Sequence, residues 1–352
     1  MLLLMLAVLG GAEIALAPPI ESKPVTVNLS ELPGLRHPWK RIEFEGPPTF
    51  DQSGKFLCVT AHTWATNADF TQELHYVILN AEGAVQTSSE STPDTNLLAK
   101  FPDLAFKLFY RGLISRDDYT NTFLDPGRWV VAPDLSWCTR VRQMADKSDL
   151  VEKFALKPTV EKQWAWTCKG EYGPPSCRMS YVVLPSKGVI AISRSSMETV
   201  LLDVATGTNV DVIPYGPGWG IVSNLALATC IIPQKGWLVC DEQESKRIRV
   251  ISLSPPHRIL KEVGEKGVNG LGVWSTPRLD PAAEGQLLLK VSDWGSRLVG
   301  GKTEAAIYDI GTWKMLWHHT DRKGEEIALS PDGRRLAILK EQTLEIQSFL
   351  AK

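Results

Sequence analysis

Three short constellations in this 352-residue chain carry residue types that could do chemistry. His318, His319 and Asp321 have donor atoms and a spacing that could ligate a metal ion. Successive strand residues point to opposite faces, so the three would converge only where the segment has left strand geometry. The stretch therefore reads as a polar strand end, and no metal ligand is assigned. Asp117-Asp118 is a carboxylate pair of the kind used in general acid–base catalysis, but consecutive acids at a turn read as solvated. Lys266-Gly267-Val268-Asn269-Gly270-Leu271-Gly272 is a glycine cluster like those that cradle phosphate. Its flanks are strand-like, without the strand–turn–helix setting such a loop needs, so it reads as a connection between repeats. His37, His62, His75 and His257 stand apart, and neither H-E-x-x-H nor G-x-S-x-G occurs. No catalytic residue and no cofactor are assigned.

Tryptophan and cysteine are more telling. Of twelve tryptophans, Trp64, Trp219, Trp274 and Trp294 fall where connections between repeats should run, so exposed rings there could grip a peptide or a sugar. Trp137, Trp166 and Trp237 sit inside apolar runs and read as core. The six cysteines include no C-x-x-C pair, which argues against zinc ribbons and thioredoxin-type sites. Cys168 and Cys177 bracket a Gly/Pro-rich loop and could form a disulfide worth about 2.7 kcal/mol in an oxidising compartment. Cys230 and Cys240 lie symmetrically about Lys235, so a tight hairpin would set them opposite each other. They are a second candidate pair, or else two small buried hydrophobes. Cys58 and Cys138 read as core thiols.

These residues must be positioned by short strands. Gly 27 and Pro 23 interrupt helices repeatedly, while 43% hydrophobic and 22% charged residues exclude a disordered chain. A net charge of −2 with mixed signs offers no stripe for a phosphate backbone, so nucleic acid is not an expected partner. A hairpin motif recurs: apolar strand, Pro/Asp/Ser/Gly turn, apolar strand. The turns begin near 51, 133, 185, 233, 281 and 330, at intervals of 82, 52, 48, 48 and 49. Pro fixes φ, Asp and Ser cap the turn, and Gly takes positive φ. A second hairpin follows most of them, giving four strands per repeat, the content of one β-propeller blade. The expected fold is all-β, a six-bladed propeller over 39–352, with seven blades as the alternative. The interval of 82 holds an insertion at about 91–127, placed on one face of the ring, with Asp94-Thr95-Asn96 capping a short helix through Leu97–Lys100 and Pro102 opening a second turn or two. The last repeat shows only three strands, so an N-terminal strand should complete it, and Arg41–Glu45 is the expected piece.

Residues 1–9 are apolar, and Ala15-Leu16-Ala17 follows at the distance of a secretory cleavage site. The run is too short to span a bilayer. Residues 1–17 are read as a signal peptide and 18–38 as an extended segment, which places the protein in the periplasm or outside the cell.

Leu329-Ser330-Pro331-Asp332-Gly333-Arg334-Arg335-Leu336-Ala337, together with Asp203-Val204-Ala205-Thr206-Gly207 and Asp309 followed by Thr312 and Lys314, resembles the blade turns of bacterial propellers with WD-like, YVTN-like or TolB-like repeats. Asp309, Thr312, Lys314 and Trp317 also resemble the tryptophan docking motif of quinoprotein propellers, but one blade alone carries it, and it reads as an ordinary turn. The resemblance implies a fold rather than an activity. The expected function is an exported, monomeric module that binds a protein or small ligand through one face of the ring. The alternative is a secreted propeller enzyme of hydrolase or lactonase type, with its site at the mouth of the central channel.

Overall fold

Turn chemistry sets the hairpins. Asp51 accepts hydrogen bonds from the Phe56 N–H at 2.9 Å and the Ser53 hydroxyl at 2.6 Å. Ser330 accepts from the Arg335 N–H at 2.9 Å, and Asp134 accepts from the Ser136 N–H at 3.0 Å. Each side chain replaces a backbone partner that the reversing chain cannot supply. A computed structural model of the chain describes residues 23–36, 42–44, 46–63, 73–110, 129–144, 148–168, 178–193, 198–215, 228–242, 247–264, 278–294, 302–321 and 325–349. The expected signal peptide, Asp117-Asp118 and the 266–272 glycine cluster lie outside these residues.

The strands form six antiparallel sheets, one per blade, with the first strand of each counted as inner and the fourth as outer; blade 1 holds Ile42–Phe44 and Thr49–Phe50, then Phe56–Thr63, Glu73–Asn80 and Val85–Ser88. Blade 2 is Trp129–Val131, Trp137–Gln143, Asp149–Ala155 and Glu161–Cys168; blade 3 runs from Arg178–Leu184 to Asn209–Pro214. Blade 4 runs from Ala228–Ile232 to Ile259–Gly264, and blade 5 from Arg278–Ala282 to Lys314–Asp321. Blade 6 contains Glu326–Leu329, Arg335–Lys340 and Thr343–Ser348, and its fourth strand is Val25–Asn28. The ring is therefore closed by an N-terminal strand, as the three-stranded last repeat required.

The closing strand is not the expected one. Val25 pairs with Ile346 and Val27 with Leu344, whereas Ile42–Phe44 pairs with the second strand of blade 1, Phe56–Thr63. Pro47 and Pro48 lack the N–H a ladder needs, so the inner strand of blade 1 breaks and resumes at Thr49–Phe50 on the same partner. The ring thus takes in a segment upstream of residue 39.

Apolar side chains of consecutive residues alternate between the two neighbouring blades, so the core consists of seams. Val27, Leu344 and Ile346 meet Leu57, Val59 and Leu79 between blades 6 and 1. Comparable seams join blades 2 and 3, 3 and 4, 4 and 5, and 5 and 6. Between blades 1 and 2 the irregular interval supplies helices instead. Asp94 caps Thr95–Leu98 through the Asn96 and Leu97 N–H groups, and Pro102 opens Pro102–Phe109. Leu97, Leu98, Phe101 and Leu104 pack on Cys58, Tyr76 and Ile78 of blade 1; Phe106 packs on Cys138 and Leu156 of blade 2. This part of the insertion is a wedge within a seam rather than an appendage on a face.

Outer strands present free edges, a hazard for edge-to-edge association. In blades 1 to 5 the pairing of the outer strand shifts by a bulge, for example between Leu201 and Leu202 and between Val250 and Ile251. A bulge bends and twists the edge away from a flat template.

Candidate functional site

The topology divides the loops between two faces. Hairpin turns between first and second strands, and between third and fourth, lie on one face, the turn face. The strand ends that are joined in sequence from second to third strand, and from blade to blade, lie at the other, the connection face.

The turn face is self-satisfied and ties the blades together. In blade 3 Asp203 accepts from the Ala205 and Thr206 N–H groups at 2.7 and 3.0 Å, and Gly207 follows at φ +71°. A Cβ on Gly207 would lie 2.6 Å from the Trp164 indole of blade 2, while Trp164 Nε1–H donates to the Val204 carbonyl at 3.1 Å. Gly83 of blade 1, at φ +80°, meets Val25 and Val27 of blade 6 in the same way. His257 of blade 4 (φ +53°) reaches Asp211 of blade 3 at 3.2 Å, and Trp313 of blade 5 (φ +57°) inserts into the seam with blade 4. The Asp309–Lys314 segment is thus an interblade turn: Asp309 accepts from the Thr312 N–H at 3.1 Å, and the tryptophan that docks is Trp313. At the closure, Arg335 of blade 6 donates to the Gly54 carbonyl of blade 1 at 2.6 Å.

Lys187 lies 2.5 Å from Asp203, and this hydrogen bond, with those from the turn N–H groups, lowers the Asp203 carboxyl pKa to about 2. A folded-state pKa below the unfolded one contributes stability at pH above about 4, lost as pH falls toward about 2. Urea titrations across that range should show Asp203→Asn less stable than the parent by about 1 kcal/mol near pH 6, with the difference shrinking toward pH 2. An unchanged difference would refute the assignment.

The connection face holds buried polar groups at the blade seams. Between blades 3 and 4, Thr199 and the Tyr215 hydroxyl are 3.0 Å apart, and Ser193 contacts Thr229. Between blades 4 and 5, Lys290 stands 3.2 Å from the fully buried Asp241. Between blades 5 and 6, His319 and Asp321, two residues apart on the outer strand of blade 5, share a side, and Glu325 joins them from the connection into blade 6. His318 turns the other way, to Glu304 at 3.1 Å. Glu325 contacts His319, and Lys340 contacts Asp321 and, at 2.8 Å, Glu325. Donating hydrogen bonds to these two carboxylates raises the Lys340 pKa well above the usual lysine value and holds it charged. The alternation argument separates His318 from His319 correctly. Glu325 and Lys340 escaped the sequence reading because only ring geometry brings them to His319 and Asp321.

Trp64, Trp219 and Trp274 lie outside the described residues. Trp294 ends the second strand of blade 5, and its side chain is likewise outside the description. The strand ends flanking all four belong to the connection face. Trp137 sits edge-on to Tyr181, 5.1 Å between centroids, and Trp166 and Trp237 pack at seams, as read.

Cys230 and Cys240 are unbonded thiols. The turn spans Pro233–Lys235 and Gly236, so Ile232 pairs with Trp237 and Cys230 with Val239. That register is one residue off the symmetric hairpin, and it turns Cys230 toward blade 5 and Cys240 toward blade 3. Burial pushes both thiol pKa values up, and that of Cys138 to about 12. Cys168 closes the outer strand of blade 2, while Cys177 is outside the described residues.

Fold and faces together define a six-bladed β-propeller closed by its N-terminal strand. No known family model matches this chain, and no curated protein is recognisably similar to it.

Proposed function

We propose that this chain is an exported propeller, periplasmic or secreted, with repeats of the WD-, YVTN- or TolB-like kind, and that it binds a protein or small ligand through its connection face. Trp64, Trp219, Trp274 and Trp294 are the aromatic contacts in this reading. One observation carries it: the described turns of the turn face are occupied within the ring, while the four tryptophans fall, in sequence, in or beside the connections. Short turns such as 204–208 and 330–334 spend their polar groups on capping and on neighbouring blades. The sequence intervals 216–227 and 265–277 join strand ends that belong to the connection face and contain Trp219 and Trp274.

The test is a peptide and glycan array probed with the full chain, followed by titration of the strongest ligand. Trp219→Ala and Trp274→Ala should each weaken binding by about 30-fold, the effect of an aromatic hot spot, while Thr206→Ala on the turn face leaves it unchanged. Binding that survives both tryptophan changes and fails with Thr206→Ala would overturn the proposal.

A further inference from the structure

We propose that His319, Asp321 and Glu325 form a binding site for a divalent transition-metal ion of the Zn2+ class, with the Lys340 ammonium as the competing internal cation. The inference is independent of the aromatic contacts above.

The donor set comes first. One imidazole nitrogen and two carboxylate oxygens lie within 4.8 Å of one another, so small side-chain rotations bring them to the separations of ligands that share one ion at bond lengths of about 2.0–2.3 Å. Nitrogen in the set disfavours Mg2+ and Ca2+, which take oxygen ligands. The ligands are also held from behind. The Trp317 ring stacks on His319 with centroids 5.5 Å apart and planes 9° from parallel. Thr303 Oγ1 accepts from the Glu325 N–H at 3.0 Å and lies 3.2 Å from the Glu325 carbonyl, which fixes the backbone of that ligand. Metal sites need such outer partners to orient their ligands.

Charge shows what the cluster is built to hold. The Glu325 side chain is 4% exposed, and its neighbour Asp321 is 14% exposed. Two carboxylates in that setting require positive charge, and the chain supplies it through an ammonium contacting both. The Lys340 side chain is 42% exposed. With Lys340 turned outward, a dication balances Asp321 and Glu325 while His319 binds it as neutral imidazole. Three protein ligands leave room for a further donor on a four-coordinate ion.

The experiment is calorimetric titration of the chelator-treated full chain with Zn2+, paired with the visible absorption of the Co2+-loaded chain. One Zn2+ should bind at this site. Lys340→Met, which removes the internal cation, should tighten binding at least about ten-fold. His319→Ala and Glu325→Gln should each weaken it by about 100-fold or more and abolish the Co2+ absorption band. Circular dichroism on each variant separates loss of a ligand from loss of the fold, and Lys340→Arg, which keeps the charge, should bind Zn2+ no tighter than the parent. Zn2+ binding with the same affinity in His319→Ala and Glu325→Gln as in the parent would overturn the site. So would no tightening in a folded Lys340→Met, or equal competition by Mg2+.

Discussion

Val27→Asp should lower the stability of the chain by about 4 kcal/mol, because it places a carboxylate in an apolar seam that offers it no cation. Val27 is 9% exposed and packs with Leu29, Leu344, Ile346 and Leu57. Among the described residues, the strand that carries it is also the only cover on the outer edge of Thr343–Ser348. Losing that strand opens the ring and exposes a ladder edge to other chains. The melting temperature should fall by about 8 °C, with concentration-dependent association of the variant. Thr26→Asp, on the exposed side of the same strand, is the control and should cost less than about 1 kcal/mol. Equal effects for the two substitutions would mean that Val25–Asn28 does not pack into the seam.

Phe106→Ala should cost about 3–5 kcal/mol, as expected for a large aromatic in a seam that cannot collapse. Phe106 is 2% exposed, with its ring 5.3 Å from Trp129 and 5.8 Å from Tyr110, and it packs on Cys138 and Leu156. Chemical denaturation gives the loss, and hydrogen exchange gives its location. Amides of Trp129–Val131 should exchange faster, while those of Ala228–Ile232, on the far side of the ring, should not. A loss below about 1 kcal/mol would make the helices a pendant insertion and leave blades 1 and 2 to be joined some other way.

How much of this was legible depended on how local the determinants are. The hairpins at 51, 233 and 330 were readable because Asp51, Pro233 and Ser330 act within a few residues of where they stand. The closing strand was not, because Val25-Thr26-Val27-Asn28 has no hairpin partner nearby and pairs with the opposite end of the chain. Arg41–Glu45 looked equally strand-like, and the Pro47-Pro48 break that assigns its neighbourhood to blade 1 makes sense only with the second strand in view. Cys230 and Cys240 show how little separates a right reading from a wrong one. A one-residue difference in turn position moves a side chain to the opposite seam. Trp313 takes positive φ where blades 1 and 3 place glycine, a position that only its docking into the neighbouring seam explains. The His319–Asp321–Glu325–Lys340 cluster joins two blades across a connection, so sequence spacing could suggest two of its members and no more.

Closure of the six-bladed ring rests on Val25–Asn28 pairing with Thr343–Ser348. Thr26 lies directly opposite Glu345, and both are exposed, so cysteines at these positions are at a distance a disulfide can span. The most direct measurement is peptide mapping of the oxidised Thr26→Cys/Glu345→Cys chain beside Glu43→Cys/Glu345→Cys. Near-complete linkage of 26 to 345, with none between 43 and 345, is the expected result. Linkage of 43 to 345, with 26 left unlinked, would contradict the closure by Val25–Asn28.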